Sequence, residues 1–222
     1  MPLVHTTWNP GTDEASWPTL FAIHGHGAHG QDLLGLAPYL AGGRIQVICP
    51  EAEFVLQPGM LSYTWFDRGP DGERSAEEFE RVTALVSEFI DEATERYHVD
   101  PGRRAILGFS QGGSLAYRLG LGEPSQFAGL AALSTWLPDE AAEAADTVTL
   151  GELPVLVQHG SEDPLVQVAR GQASRDRLIA MGVTPEYHEY PMQHSIGPES
   201  LRDLSAWLER VLQLSPTEAP TA

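Results

Sequence analysis

Gly108-Phe109-Ser110-Gln111-Gly112-Gly113 decides the fold of this chain. The apolar run Arg104-Ala105-Ile106-Leu107 precedes it and reads as a strand. Ser114-Leu115-Ala116-Tyr117-Arg118-Leu119 follows and reads as the start of a helix. A G-x-S-x-G sequence between strand and helix is the setting of a nucleophile elbow. Such a turn strains the serine backbone, and side chains two residues to either side would collide with strand and helix. Gly108 and Gly112 remove those side chains. The Ser110 hydroxyl is then expected above the sheet edge, at a helix N-terminus whose free N–H groups favour developing negative charge.

Outward from the elbow, strand and helix signals alternate. Residues 3–8 read as an edge strand, 19–24 as a buried strand and 25–30 as a glycine-rich loop. Gln31-Asp32 is expected to cap a helix that runs through Leu40 and ends at Gly42-Gly43. Residues 45–49 form the next strand, which Pro50 stops. Residues 51–74 mix proline, glycine and aromatics without a period and are expected to be a long loop. Ser75 and Glu78 spell a capping box. Behind it Phe79, Val82, Val86, Phe89, Ile90 and Ala93 recur three and four apart, as on a helix face, and Asp100-Pro101-Gly102 ends that unit. Further strands fall at 128–133, 154–159 and 184–190, and helices at 166–181 and 198–212. Residues 136–152 are acidic and alanine-rich, a short helix or an excursion. This alternation predicts an α/β fold with a mostly parallel central sheet covered by helices on both faces.

The 222 residues suffice for one domain with a sizeable core, taken as 1–214, followed by a frayed polar tail at 215–222. Acidic residues outnumber basic ones, 31 to 13, for a net charge of −18. That balance argues against nucleic acid and anionic membranes as partners. The single cysteine, Cys49, excludes an intrachain disulfide and reads as a small buried hydrophobe. The first 16 residues show no signal-peptide pattern, and no apolar run approaches a membrane span, so the expected location is cytoplasmic.

A nucleophilic serine needs a base and a group that orients the base. In open parallel sheets these arrive on loops after strand carboxyl ends. Two such loops lie downstream, His159-Gly160-Ser161-Glu162-Asp163-Pro164 and Pro191-Met192-Gln193-His194-Ser195. Asp163, ahead of Pro164, suits the turn better than its rival Glu162. Among eight histidines, His188 lies inside a strand, and His24 and His159 each end a strand before a glycine. His194 alone lies in the loop after the last strand.

The loop His24-Gly25-His26-Gly27-Ala28-His29-Gly30 admits three readings. Its backbone N–H groups, with that of Gln111, can form an oxyanion hole. His24, His26 and His29 can be metal ligands, although their spacing matches no zinc pattern. Gly25 to Gly30 also matches G-x-G-x-x-G, with Glu51 and Glu53 where a ribose-binding acid would sit. The dinucleotide reading leaves the elbow and the Asp163 and His194 loops unexplained.

Together these motifs resemble the phospholipase/carboxylesterase family, which includes acyl-protein thioesterases. Gly108 to Gly113 resembles its nucleophile motif, and His24-Gly25-x-Gly27 its oxyanion loop. Trp65-Phe66-Asp67 resembles an element ahead of its long helix. His159-Gly160-x-x-Asp163-Pro164 and His194-Ser195-Ile196 resemble its acid and histidine motifs. The resemblance implies an α/β-hydrolase fold without a large cap domain. It also implies Ser110 as nucleophile, Asp163 as acid, His194 as base, and the N–H groups of His26 and Gln111 as oxyanion hole. Three positions depart from the family pattern: His26 replaces an apolar residue, Gln193 a glycine and Gln167 a proline.

The expected activity is hydrolysis of short to medium acyl esters through an acyl-enzyme, with thioesters and lysophospholipids as alternatives. No cofactor or metal is required. Trp65, Phe66, Trp136, Leu137 and Met192 are candidate acyl-pocket residues because they lie on or beside the catalytic loops. Prolines and glycines in 51–74, and the acids Asp139, Glu140, Glu143, Asp146 and Glu152, argue against an apolar lid. A homodimer is compatible with the sequence, which does not specify oligomeric state.

Overall fold

The computed structural model describes residues 3–11, 15–67 and 74–215. A seven-stranded sheet runs through them in the order β1-β3-β2-β6-β7-β8-β9. The strands are β1 (His5–Trp8), β2 (Trp17–Ile23), β3 (Gln46–Pro50), β6 (Val99–Phe109), β7 (Gly129–Leu133), β8 (Val155–Gly160) and β9 (Glu186–Tyr190). Only β1 is antiparallel to its neighbour; every other pairing is parallel. The helices are α1 (Gly30–Leu34), α2 (Ala76–Arg96), α3 (Gln111–Gly122), α4 (Asp139–Glu143), α5 (Val168–Ala180) and α6 (Pro198–Val211).

Two apolar layers follow from the strand period of two. Phe21, Ile23, Ile48 and Ile106 face the side covered by α2, α3 and α5. Leu20, Ala22, Val47, Leu107 and Leu133 face the side covered by α1 and α6. Central strands buried on both faces read as continuous apolar runs, which is why they were legible. On α6, Leu204, Trp207 and Leu208 are buried, each contributing roughly 1.5–3 kcal/mol. Trp207 packs on Gly129, where a Cβ atom would stand 2.6 Å from the indole. Cys49 is buried in this layer, and burial together with nearby Glu51 pushes its thiol pKa far up. It behaves as the expected small hydrophobe.

Four local readings are corrected. The first helix does not reach Leu40: α1 ends at Leu34, and a 3₁₀ segment, Ala37–Gly43, takes over. Pro38 has no N–H to donate to the carbonyl four residues back, so the α-helical ladder cannot run on through it. Its N-cap is His29, whose N–H donates to Asp32 Oδ2 at 3.0 Å. Asp100-Pro101-Gly102 does not end a unit but lies within β6. There Trp17 pairs with Val99 and Thr19 with Arg104, so the intervening residues bulge where Pro101 lacks a ladder donor. Within 51–67 stands a small hairpin of β4 (Phe54–Val55) and β5 (Tyr63–Thr64). Its Val55, Leu56, Met60 and Leu61 are exposed, an apolar surface that the sequence reading did not count. The tail from residue 216 lies outside the described residues. No described helix is long and apolar enough to cross a membrane.

Candidate active site

The elbow is built as its glycines demand. Ser110 has φ 53° and ψ −119°, a conformation that costs about 1–3 kcal/mol for an L-residue. The surroundings hold it there. Ser110 N donates to Leu133 O at 2.9 Å, and Gly113 N donates to Ser110 O at 2.9 Å. Thr135 Oγ1 also donates to Ser110 O, at 2.7 Å. A Cβ at Gly108 would overlap the backbone of Gly112, and one at Gly112 would overlap the carbonyls of Ile23 and His24. The end of β2 thus packs directly under the turn.

Asp163 follows β8 and is buried. Its Oδ2 accepts from His194 Nδ1 at 2.7 Å, while Oδ1 accepts from Leu165 N at 2.8 Å and Val166 N at 2.9 Å. Burial pushes the Asp163 pKa up. The bonds from His194, Val166 and Leu165 outweigh burial and hold it below the ordinary carboxylate range. His194 lies in the loop between β9 and α6, its ring 4.8 Å from that of Phe109, the residue before Ser110. The structure therefore brings Asp163 and His194 together at the elbow. Glu162 is exposed, with its N–H bonded to Met192 O. His159 is buried, its Nε2 bonded to Val166 O at 2.7 Å and lying 3.7 Å from Asp163 Oδ2, farther than His194 Nδ1. His188 is exposed on the edge strand β9.

The loop 24–30 wraps the other side of the serine. A Cβ at Gly25 would stand 3.1 Å from Ser110 Cβ, so the backbone approaches the nucleophile as closely as glycine permits. Gly27 N donates to Tyr63 O and Tyr63 N to Ala28 O, tying this loop to β5. His26 is exposed at its tip. Gln111 opens α3, and its side chain accepts from Trp65 N at 3.0 Å and exchanges hydrogen bonds with Thr64 Oγ1. The backbone amides of residues 26 and 111 thus belong to a loop and to a helix N-terminus that both adjoin Ser110.

The metal and dinucleotide readings find no support. His24 bonds Gly25 O at 2.8 Å through Nδ1, and its Nε2 lies 3.0 Å from Glu51. His29 Nε2 lies 3.3 Å from Asp32. Among the described residues no three metal-ligating side chains cluster. Glu51 also accepts from Gly30 N, and Glu53 pairs with Arg81 at 2.9 Å, so both supposed ribose acids are engaged elsewhere.

Of the five expected pocket residues, Trp65 and Phe66 are buried in the core behind the site. Trp65 Nε1 donates to His24 O at 2.8 Å, so its buried ring braces the loop 24–30 from behind. Adjacency in sequence is not contact: the ring turns inward because its N–H finds a buried carbonyl there. Met192 is partly buried, its sulfur 3.7 Å from Ser200 Oγ. Trp136 and Leu137 line a cleft of about 350 Å³ between α4 and α5. Thr64 and Thr135, the braces of Gln111 and Ser110, were missed. The signal was there for Thr135, which sits just beyond a strand end.

The model of the phospholipase/carboxylesterase family matches residues 11–212. The chain belongs to that family. An acyl-protein thioesterase 1 of Mycosarcoma maydis is 32% identical over 228 residues, covering 92% of this chain and 95% of the relative. One from Cryptococcus neoformans var. neoformans is 29% identical over 231 residues, covering 90% and 94%. The carboxylesterase of Bacillus cereus superposes with a TM-score of 0.78 at 22% identity, over 94% of each chain. That of Mesorhizobium loti gives 0.79 at 20% identity, over 94% of this chain and 95% of its own. These likenesses in structure show the α/β-hydrolase fold, and the described residues include no large cap. This family member is a carboxylic ester hydrolase.

Proposed function

We propose that this esterase hydrolyses short to medium acyl esters through a Ser110–His194–Asp163 triad and an acyl-enzyme. The observation that carries the reading is the 2.7 Å pair of Asp163 and His194 beside a strained Ser110. Asp163 fixes His194 with Nδ1 protonated, so Nε2 carries the lone pair. Nε2 takes the Ser110 proton as Oγ attacks the carbonyl, in a contact that tightens once substrate is bound. The N–H groups of His26 and Gln111 receive the developing oxyanion, and the α3 N-terminus adds to that field. The imidazolium then protonates the leaving alcohol, and water repeats the sequence to release the acid.

A fluorophosphonate probe tests this. Intact-mass and peptide analysis should find one adduct, on Ser110; labelling elsewhere, or none, refutes the assignment.

The pH profile is a second check. Asp163 is held below the ordinary carboxylate range, so it stays ionised as the solution becomes mildly acidic. Its pairing stabilises the fold above the unfolded pKa and is lost only as pH falls through the lowered one. Acid loss of activity in mildly acidic solution should therefore follow a single proton taken up by the catalytic base. Log kcat/KM should rise with a slope of about one and then level. A slope near two in that range would mean that Asp163 titrates with it.

A second reading, hydrolysis of longer acyl thioesters, draws on the exposed Val55, Leu56, Met60 and Leu61 of the hairpin. It also draws on the relatives' names. Matched C4 and C12 esters and thioesters separate the two: a kcat/KM that climbs with chain length on thioesters favours this one.

A further inference from the structure

We infer that the cleft beside Trp136 binds an anionic group, a carboxylate or phosphate, carried on the substrate, with Arg170 as its recognition residue. This rests on the esterase reading above and specifies its substrate class.

The cleft is lined by Arg74, Trp136, Asp139, Glu140, Arg170 and Arg177, among others. Two of its arginines are neutralised within it: Arg74 pairs with Glu140 at 2.9 Å, and Arg177 pairs with Asp139. Arg170 has no carboxylate partner among the described residues. Its guanidinium lies over the Trp136 ring, 4.0 Å from the centroid. The ring face holds the guanidinium in place while its N–H groups make no hydrogen bond among the described residues, so they are available for bidentate contact with an oxyanion. These five ionised side chains leave a local charge of +1 in a chain whose net charge is −18.

A second source of positive potential reinforces this. Arg170 stands in the first turn of α5, which contains no acidic residue and has no side-chain N-cap. The helix N-terminus and the guanidinium are like in sign and adjacent, a repulsion that a bound anion relieves. The cleft also adjoins the chemistry. Trp136 follows Thr135, whose hydroxyl bonds Ser110 O at 2.7 Å. The wall of the cleft and the brace of the nucleophile are thus consecutive residues.

The test compares 4-nitrophenyl hexanoate with its ω-carboxylate counterpart, the mono-4-nitrophenyl ester of adipic acid, and with an ω-phosphonooxyhexanoyl ester. The ratio of kcat/KM, anionic over neutral, should fall about tenfold in Arg170→Gln while the neutral ester is unaffected. Arg170→Lys should keep part of the preference, and added salt should erode it in the wild type. A preference confined to one anionic substrate tells carboxylate from phosphate. An unchanged ratio in Arg170→Gln, or an equal loss on all three esters, overturns the proposal. Binding is read without turnover in Ser110→Ala protein, by calorimetry with adipate and with inorganic phosphate. Saturable binding that Arg170→Gln abolishes supports the site even if the esterase reading fails; no binding of either anion, with ester turnover by the wild type intact, removes the site and leaves the esterase.

Discussion

Ser110→Ala is expected to lower kcat on any ester by about 10⁴-fold or more and leave the fold intact. The second half of that expectation comes from the structure. The contacts that hold the elbow use backbone atoms of residue 110: its N–H to Leu133 O, and its carbonyl to Gly113 N and Thr135 Oγ1. Alanine keeps all of them and bears the same strain at φ 53°. Thermal melts should therefore match the wild type while a chromogenic ester goes unhydrolysed. Undiminished turnover in the purified variant would remove Ser110 from the mechanism, and loss of both fold and activity would mean that the hydroxyl is structural.

Asp163→Asn is expected to lower kcat by roughly 10³ to 10⁴-fold, although the two side chains are nearly isosteric. The geometry says why. Oδ1 accepts from two backbone N–H groups, Leu165 and Val166. An asparagine must keep its carbonyl oxygen there, since turning its NH₂ toward two donors would leave them unsatisfied. The NH₂ then faces His194 Nδ1, which becomes an acceptor. The proton moves to Nε2, and the imidazole can no longer take one from Ser110. Glu162→Gln, at an exposed position off the pair, should change kcat by about threefold at most. Measured kcat values for the two variants in reversed order would make Glu162 the acid.

Much of this protein is local in origin. The elbow is legible because a turn this tight excludes side chains by contact between neighbours in sequence, at Gly108 and Gly112. The central strands are legible because burial on both faces demands unbroken apolar runs. The order of Ser110, Asp163 and His194 is legible because parallel strands deliver loops to one edge. Where local signals failed, a neighbour distant in sequence decided. Trp65 N donates to Gln111, 46 residues away, and its indole N–H to His24 O, 41 residues away, which turns the ring inward, out of the pocket assigned to it. Asp163, which Pro164 already favoured over Glu162, meets His194, 31 residues on, in a contact that only the fold makes. Arg170 carried no motif; only the fold lays it on Trp136 and pairs the other two arginines of the cleft with acids. Sequence alone determined which backbone segments could be strand, turn or helix, since that depends on sterics and periodicity within a few residues. Tertiary structure decided which side chains face the substrate, because orientation depends on partners that chain order does not bring near.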